Sequence, residues 1–556
     1  MTKIAVVGLL IATLPTISGD ETLVLTNGAI HTVTEATPLV EAIAIDADGV
    51  ILAVGSEDDA LAIAGDNADI IDLHGMMVLP GFQDAHMHLI EAGVNQMLCE
   101  FDPFDSLEGT KATVEDCVRT SDTDWVLGSG VSMVNLLDQT DDPLAVLDAI
   151  SPDRPVLILD DIGHGAWANS VAMRAAGYDV MAGNPPGGII LRNEAGKPNG
   201  VVLENAQQKL RNLALPDTAE NVAFAYDSML TTLASMAENG ITSVSDAGGY
   251  WPQGHLKVWQ MALAAGTLTV RASNALYVYP DMDFDTQIAA LKGLYSNDPN
   301  SLLRFNQAKL YVDGILEQRT GAVLEPYLPG DGIAHGFASG FEYFGVDALN
   351  DYSKTLSDLG YQLHFHVTGD RGARMALDAI AQSNPKSGPH RLTHLYLLDP
   401  ADYPRFQKLG VVADFQLAPS SLAPDYIDFI GGVIGDRAGR MMPAGTLQAM
   451  GADVVMSSDF DADELSPLVK IQTAVERKID GAPDVETAIE WMTINPARLL
   501  HQDQTTGTIE VGKFADLVVI DRDITKVPTR EIGKAHVMAT LLQGDVVFDA
   551  GRLFAE

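Results

Sequence analysis

Two histidines spaced two positions apart, His86 and His88, are the side chains whose types and spacing point most directly to chemistry. They follow an apolar run and a Pro80-Gly81 break, and Asp84 stands two positions before the first histidine. On a β-strand, residues i and i+2 lie on the same face, so both imidazoles would point the same way. Two neutral imidazoles at a strand end provide half of a metal site, although a His-x-His pair alone is also common among ordinary surface or core histidines.

Further metal-type side chains occur downstream, each within or directly after an apolar, strand-like run. Lysine is mostly exposed in proteins, but Lys309 lies inside such a run, where desolvation would lower its pKa and favour the neutral amine. His364 and His366 form a second His-x-His pair, and His394 follows in a later run. Asp459 ends the last run, where a helix N-cap or a turn is the alternative interpretation.

The segment LPGFQDAHMHL resembles the PGFxDxHxH motif of the amidohydrolase superfamily, and the later segments KLYVDG, HVTGD and SSD are similar to further motifs of that family. The resemblance implies an ordered set of metal ligands and leaves His364 as a core residue or a neighbour of the ligands. The implied ligands are His86, His88, Lys309, His366, His394 and Asp459.

The same resemblance implies two divalent ions, with zinc expected and other transition metals compatible with these ligands. A carbamate formed from Lys309 and CO₂ would bridge the ions, and Asp459 would serve as general acid and base. The implied reaction is hydrolysis of a non-peptide C–N bond, in an amide, formamide, carbamate or N-acyl compound, by metal-activated hydroxide. A site with one ion and unmodified Lys309 is the nearest alternative.

Within the superfamily, the chain is similar to the branch that includes N-substituted formamide deformylase and YtcJ-type proteins. The branch motifs HGAWANSVAM, GGIILRNEAGKPNGVVLENA, GITSVSDAG and TINPA occur in the shared order. The chain departs from the pattern at Ile162, where aspartate is common, at Thr393, where glutamate is usual, and at Ser457, which replaces glycine. The segment FDADELSP after Asp459 departs as well. Candidate substrate-binding residues, with ordinary packing an equal alternative, are His164, Trp167 and Glu204.

The middle of the chain alternates strand-like and helix-like segments, which is the pattern of βα units around a parallel sheet. Eight such strands fit a TIM-like (β/α)₈ barrel, whose active site lies at the carboxyl ends of the strands. We therefore expect an α/β fold with a barrel over residues 79–502. The predicted strands are Met76–Leu79, Ile241–Asp246, Val270–Val278, Gln307–Val312, Tyr361–Val367, Arg391–Leu395, Val411–Gln416 and Asp453–Ser458.

Two further units are expected around the barrel. Residues 20–78 and 503–556 are β-rich and contain turn pairs such as Asn27-Gly28 and Gly544-Asp545, which predicts a small β-sandwich built from both termini. The stretch from about 95 to 235 is far longer than an ordinary βα loop. We expect a lid-like insertion there, above the barrel mouth.

Composition narrows the choice of partners. The chain has 556 residues, 47% of them hydrophobic, and a formal charge of −42. Such a field repels nucleic acid and anionic membranes, so a small-molecule substrate is expected, with a homodimer as a compatible assembly.

The N-terminus bears on localisation. Residues 1–19 have the form of a signal peptide, too short to span a membrane, with a buried first strand as the alternative. Export to the periplasm or medium is the expectation and the cytoplasm the alternative. If the protein is exported, Cys99 and Cys117 could form a disulfide.

Other function classes stay open at this stage. They are a metal-dependent isomerase, an ester or lactone hydrolase on the same barrel, and a non-catalytic exported binding protein.

Overall fold

The computed structural model describes residues 22–330, 337–551 and 553–554. The expected signal peptide, residues 1–19, lies outside this range. In the described part of the chain, no helix is both long and apolar enough to cross a membrane.

The central unit is a sheet of eight parallel strands, in which each strand pairs with its neighbours in chain order. Just beyond the last strand, Ser458 N donates to Asp84 Oδ1 at 2.9 Å and Asp459 N donates to His86 O at 2.8 Å. These bonds tie the last strand to the first, so the sheet is a nearly closed TIM-like (β/α)₈ barrel, as predicted. Its strands are Phe82–Met87, Ile241–Gly249, Arg271–Tyr277, Leu303–Tyr311, Gln362–Val367, Arg391–His394, Val412–Phe415 and Val454–Met456.

Seven of the eight barrel strands overlap the predicted ones, and the prediction of the first is wrong. The apolar run at Met76–Leu79 does form a strand, Met77–Pro80, but it pairs with Leu517–Ile520 in a different sheet. The barrel begins only after Gly81, at Phe82–Met87. Both strands are fully buried, but the barrel strand contains Gln83, Asp84 and His86, so a search for apolar runs finds only the strand before it.

Helices cover the outside of the barrel and turn their apolar sides toward the strands. In Asp370–Ile380, for example, the buried residues Ala373, Ala376, Leu377 and Ile380 recur at helical spacing. The other α-helices of this unit are Leu89–Met97, Ala219–Glu238, His255–Ala265, Phe284–Leu294, Val346–Asp358, Tyr403–Leu409, Pro424–Ile434, Ala444–Ala449, Pro467–Glu476, Val485–Glu490 and Ile494–Leu499. Short 3₁₀ helices are Trp251–Gln253, Pro385–Ser387, Ser420–Leu422, Gly435–Arg440 and Thr529–Lys534.

An insertion between the first and second barrel strands forms its own mixed six-stranded sheet. Side chains alternate along a strand, so the two faces of this sheet contribute to two separate apolar clusters. Val201 belongs to one cluster and Val202 to the other. The strands, in sheet order, are Gly188–Arg192, Pro198–Glu204, Gly165–Ala168, Val156–Asp160, Val126–Val131 and Cys99–Glu100. The helices are Leu107–Thr120, Met133–Gln139, Pro143–Ile150, Ser170–Ala175 and Asn205–Ala214.

The two cysteines lie in this insertion. Cys99 on the edge strand and Cys117 on the helix Leu107–Thr120 form a disulfide, with Cα atoms 6.1 Å apart. The structure therefore makes the pairing that the sequence left open.

Two further sheets pack together at one end of the barrel. They share an apolar core that includes Leu25 and Ile43 from one sheet and Val78 and Val519 from the other. The first sheet has the order Ile51–Gly55, Ala42–Ile45, Leu23–Thr26 and Asp69–Asp72, with the helix Glu57–Ala64 beside it. The second has the order Asp545–Asp549, Val537–Leu542, Leu517–Ile520, Met77–Pro80, Ala29–His31 and Leu39–Val40.

Candidate metal centre

The six residues expected to bind metal meet at the mouth of the barrel. A barrel brings the carboxyl ends of all its strands to one rim, so residues far apart in sequence become neighbours. The first strand carries one of them and a second caps the helix that follows, and the others lie in or just after the fourth, fifth, sixth and eighth strands. In chain order they are His86, His88, Lys309, His366, His394 and Asp459.

Asp459 lies at the centre of this group. Its Oδ1 is 3.0 Å from His86 Nε2 and 3.6 Å from His88 Nε2, and its Oδ2 is 3.7 Å from His394 Nδ1. Asp459 and His394 both adopt left-handed backbone conformations, with φ of +56° and +81°. Such conformations are uncommon outside glycine and often mark functional sites.

Lys309 and His366 complete the group. Lys309 is fully buried, and its Nζ is 3.4 Å from both ring nitrogens of His86. The His366 ring centroid is 4.4 Å from that of His394 on one side and 4.3 Å from that of Tyr311 on the other, where the two rings stack. The structure therefore brings all six side chains together.

Burial sets the protonation states that metal binding needs. It lowers the pKa of His86 and His366 well below the usual histidine value and that of His394 to about 3, so all three are neutral imidazoles. Burial likewise lowers the pKa of Lys309 to about 7. For Asp459, burial opposes ionisation, but electrostatic interactions with His394, His88 and Lys309 outweigh it and lower the pKa.

His88 behaves differently from the other histidines. Burial alone would lower its pKa, but the Glu91 carboxylate, 2.7 Å from His88 Nδ1, raises it overall. Glu91 is itself paired with Arg211. The hydrogen bond between His88 Nδ1 and Glu91 fixes the His88 ring with Nε2 facing Asp459.

The group fits a divalent transition metal. One nitrogen each from His86 and His394 and one oxygen from Asp459 lie within 4.8 Å of one another. His394 Nε2 is buried and has no hydrogen-bond partner among the described residues, which leaves a lone pair available to a ligand. Imidazole nitrogen and carboxylate oxygen are ligands that zinc and its neighbours accept.

Four residues behind His394 fix which of its nitrogens is free. Ser457 Oγ donates to Asp414 Oδ1 at 2.6 Å and therefore accepts from Gln416 Nε2, also at 2.6 Å. The amide oxygen of Gln416 then faces His394 Nδ1 at 2.8 Å and requires the proton to be on that nitrogen. Thr393 Oγ1 donates to the other oxygen of Asp414 at 3.0 Å.

Asp414 and Gln416 were missed in the sequence, although both are polar residues in or next to the buried seventh strand. Thr393 and Ser457, two positions where the chain departs from the family pattern, both donate a hydroxyl hydrogen bond to Asp414.

His364 faces away from Asp459 and supports His86. Its Nε2 is 2.7 Å from His86 Nδ1, and its Nδ1 accepts from Arg391 Nη2 at 2.8 Å. His364, His86 and Asp414 also have potential ligand atoms within 4.8 Å of one another. In this second group, however, the Arg391 guanidinium already donates to His364 Nδ1. This arrangement fits the sequence interpretation of His364 as a neighbour of the ligands.

One of the three candidate substrate-binding residues, His164, lines the cavity at the site, and its ring centroid is 4.9 Å from that of His366. Its Nδ1 is 2.7 Å from Glu204 Oε2, which also accepts from Tyr343 OH at 2.7 Å. Trp167 does not line the cavity: it is fully buried in the apolar core of the insertion, where its Nε1 donates to Pro143 O at 2.9 Å.

The insertion and the barrel mouth enclose one cavity beside the candidate metal residues. On the insertion side, Asp160, Asp161 and Ile162 contribute to its wall, and on the barrel side Asp461 follows the eighth strand. Ile162 was singled out in the sequence as a departure from the family pattern, but Asp160, Asp161 and Asp461 were missed, because an insertion's position over the barrel mouth does not reveal which of its loops turn inward. Three carboxyl groups, those of Asp160, Asp161 and Asp461, therefore line the cavity.

Comparisons with known proteins agree with this geometry. The amidohydrolase family model matches residues 69–548. The YtcJ protein of Bacillus subtilis (strain 168), which carries the name of an amidohydrolase, is 26% identical over 542 residues, covering 94% of this chain and 98% of that protein. N-substituted formamide deformylase of Arthrobacter pascens is 26% identical over 550 residues, covering 94% of this chain and 97% of that protein.

A solved structure has the same fold. An uncharacterized metal-dependent hydrolase from Pyrococcus furiosus superimposes with a TM-score of 0.69 at 24% identity, covering 91% of this chain and 100% of that one. Since the family match spans most of the sequence, this protein belongs to the amidohydrolase family.

Proposed function

We propose that this protein is a metal-dependent hydrolase of a non-peptide C–N bond in an amide, formamide, carbamate or N-acyl compound. The observation that carries the proposal is the position of Asp459, whose two oxygens lie 3.0 to 3.7 Å from three imidazoles beside an enclosed cavity. A carboxylate in that position can exchange protons with a molecule bound in the cavity while it contacts a metal.

The proposed cofactor is a pair of divalent ions, with zinc the first choice. His86, His88 and Asp459 would hold one ion and His366 and His394 the other, with a carbamate on Lys309 shared between them. A divalent ion bound here would polarise the scissile carbonyl and lower the pKa of the attacking water. Burial of Lys309 supports the carbamate, because only the neutral amine reacts with CO₂.

Asp459 is the proposed general base and acid. It accepts a proton from the water whose oxygen forms the new C–O bond, and it then donates that proton to the nitrogen as the C–N bond breaks. The products are a carboxylic acid, or a carbonic acid monoester from a carbamate, and an amine. The low pKa of Asp459 keeps it ionised for the first of these steps.

His164 is the proposed donor to the substrate carbonyl oxygen. Burial alone would lower its pKa, but the Glu204 carboxylate raises it, which favours the imidazolium. With Nδ1 bound to Glu204, the remaining N–H is available to the cavity. A preorganised donor of this kind stabilises negative charge as it develops on the oxygen.

The experiment that tests this function is a substrate panel on zinc-loaded protein. The panel contains N-formyl amines, N-acyl amino acids, aryl carbamates and cyclic amides, with lactones and esters for comparison, and the hydrolysis products are measured. We expect turnover of at least one class, and a loss of about 10²- to 10⁴-fold in kcat in Asp459→Asn. Turnover of lactones or esters alone, or equal activity in Asp459→Asn, would reject the proposal.

We also propose that the protein is exported. The pairing of Cys99 with Cys117 supports this, because disulfides persist mainly in oxidising compartments. Cell fractionation, with the mature N-terminus determined by mass spectrometry, tests it: a mature chain starting near Gly19 is expected, and an intact N-terminus in the cytoplasmic fraction would contradict it.

A further inference from the structure

The wall of the cavity that faces the metal residues is made by the insertion. The strand Val156–Asp160 ends there, and the chain continues along the wall through Asp161 to His164. A substrate held at Asp459 must therefore lie against this segment.

Each cationic side chain in the cavity wall contacts a carboxylate other than Asp160 and Asp161. Arg211 and His88 share Glu91, and His164 pairs with Glu204. Asp160 and Asp161 lie next to each other in the same wall and have no ion-pair partner among the described residues. The insertion side of the cavity thus holds two carboxyl groups that have no cationic partner within the described ranges.

Asp160 also has an unused oxygen. The residue is only 4% exposed, and its Oδ2 accepts from Gln318 Nε2 at 2.8 Å. Its Oδ1 is buried and has no hydrogen-bond partner within the described part of the chain. If the Asp160 carboxyl group is ionised, it has no cation beside it among the described residues. If it is protonated, its O–H has no acceptor among them, so the protein alone satisfies neither form.

The surroundings favour an organic cation over a second kind of metal ion. Leu159 and Ile162 flank the two carboxylates in the cavity wall and offer apolar surface. A hard metal ion needs about six oxygen ligands, more than this wall provides. An alkylammonium, amidinium or guanidinium group would instead bind the carboxylates and place its carbon chain on the apolar side chains.

We propose that Asp160 and Asp161 form a subsite for a positively charged nitrogen of the substrate, so that the enzyme hydrolyses C–N bonds in compounds that carry a cationic group away from the scissile bond. This inference rests on the proposed hydrolase function. Burial raises the pKa of Asp160 to about 8 and that of Asp161 to about 6, which is the behaviour expected of carboxylates that lack their cation.

Matched substrate pairs test the subsite. N-formyl-1,5-diaminopentane and N-formylhexylamine differ by an ammonium in place of a methyl group on the amine side. N-methyl-6-aminohexanamide and N-methylheptanamide make the same comparison on the acyl side. We expect kcat/KM for the cationic member of at least one pair to exceed that of its neutral partner by about 10- to 100-fold. Equal rates for both members of both pairs would overturn the subsite and leave the hydrolase function standing.

Variants assign the preference to the named residues. Asp160→Asn and Asp161→Asn are nearly isosteric, and each should raise KM for the cationic substrate about tenfold more than KM for the neutral substrate. The control is Asp153→Asn, an exposed residue in the turn before the same strand. A preference that survives in both cavity variants would overturn the assignment.

A binding measurement separates the subsite from catalysis. Calorimetry of pentylammonium against the full-length protein should detect binding that weakens about tenfold in Asp160→Asn, whereas 1-pentanol should bind to neither protein. Binding of pentylammonium without turnover of any substrate would reject the proposed function but support the subsite. Absence of pentylammonium binding to the unmodified protein, or equal binding to Asp160→Asn, would overturn the subsite whatever the turnover.

Discussion

Gln416 Oε1 accepts a hydrogen bond from His394 Nδ1 at 2.8 Å, and so leaves the other nitrogen of His394 free at the candidate metal centre. Ser457 fixes the orientation of the Gln416 amide. Because its hydroxyl proton is donated to Asp414, Ser457 can only accept from the Gln416 amide nitrogen. A carboxylate on the seventh strand thus selects the tautomer of a histidine on the sixth.

We expect Gln416→Leu to weaken zinc affinity by about 10- to 100-fold, since the His394 ring loses the acceptor that orients it. Competition with a chromophoric chelator measures this affinity. Gln416→Glu keeps an acceptor opposite Nδ1 and should retain most of the affinity. An affinity unchanged in Gln416→Leu would show that the amide does not control the ring.

The same chain of bonds predicts coupling between Ser457 and Gln416. Ser457→Ala removes the group that holds the amide, so its effect on zinc affinity should be less than additive with that of Gln416→Leu. A double-mutant cycle measures the coupling. Full additivity would mean that the two residues act separately.

Assembly of the centre should depend on pH and on CO₂ through Lys309. Its pKa of about 7 means that the neutral amine becomes the main form as pH rises through 7. Zinc uptake by metal-free protein should therefore be faster at pH 8 than at pH 6, and faster with added bicarbonate. Mass spectrometry of the native protein should detect an added carboxyl group of about 44 Da. Lys309→Ala should bind fewer ions, and a full complement of ions in that variant would favour the single-ion or unmodified-lysine alternative.

Asp160 should make the protein less stable as pH rises. Its pKa is about 8 in the folded protein, against an unfolded value near 3.8, so the folded state holds the proton more tightly. The resulting stabilisation is complete below pH ~4 and is lost as pH rises toward 8, by at most about 1.4 kcal/mol per pH unit. The groups that influence it are Asp161, His164 and Gln318.

Denaturant unfolding at pH 5, 6.5 and 8 measures this effect. Asp160→Asn should gain free energy of unfolding relative to the unmodified protein as pH increases, whereas Asp153→Asn should follow the unmodified protein. Parallel curves for Asp160→Asn and the unmodified protein would contradict the prediction.

Arg391 should contribute heavily to stability. It is fully buried, and its guanidinium donates to Ala85 O, Ser245 Oγ, Gln307 Oε1 and His364 Nδ1. Removing it leaves several buried acceptors without donors, so Arg391→Met should lower the free energy of unfolding by about 3 kcal/mol or more. Chemical denaturation measures the change.

The matched control for Arg391 is a partly exposed arginine. Arg405, on the helix Tyr403–Leu409, pairs with Asp378 and Asp402, and its replacement by Met should cost about 1 kcal/mol or less. Equal losses in the two variants would mean that the buried bonds of Arg391 add nothing beyond a surface ion pair.

The barrel and its candidate ligands could be predicted from sequence because each depends on local pattern. His86 and His88 share a face by strand geometry alone, and motif order identified Lys309, His366, His394 and Asp459. Strand assignment failed at Met76–Leu79 because this apolar run belongs to the neighbouring sheet, whereas the first barrel strand, Phe82–Met87, contains Gln83, Asp84 and His86 and is not an apolar run.

Contacts between strands could not be predicted in the same way. The contact of Asp414 with Thr393 and Ser457 depends on the register between three neighbouring strands, and no local sequence pattern encodes that register. Trp167 and Asp160 show the same limit within the insertion: both lie in strands of one sheet, and only the three-dimensional packing turns one into the core and the other into the cavity.

The central claim is tested most directly by removing and restoring the metal. Protein treated with a chelator until elemental analysis detects no transition metal should show no hydrolysis of its best amide or formamide substrate. Addition of zinc should restore activity in proportion to uptake, up to two ions per chain. Undiminished hydrolysis by the metal-free protein would contradict the account.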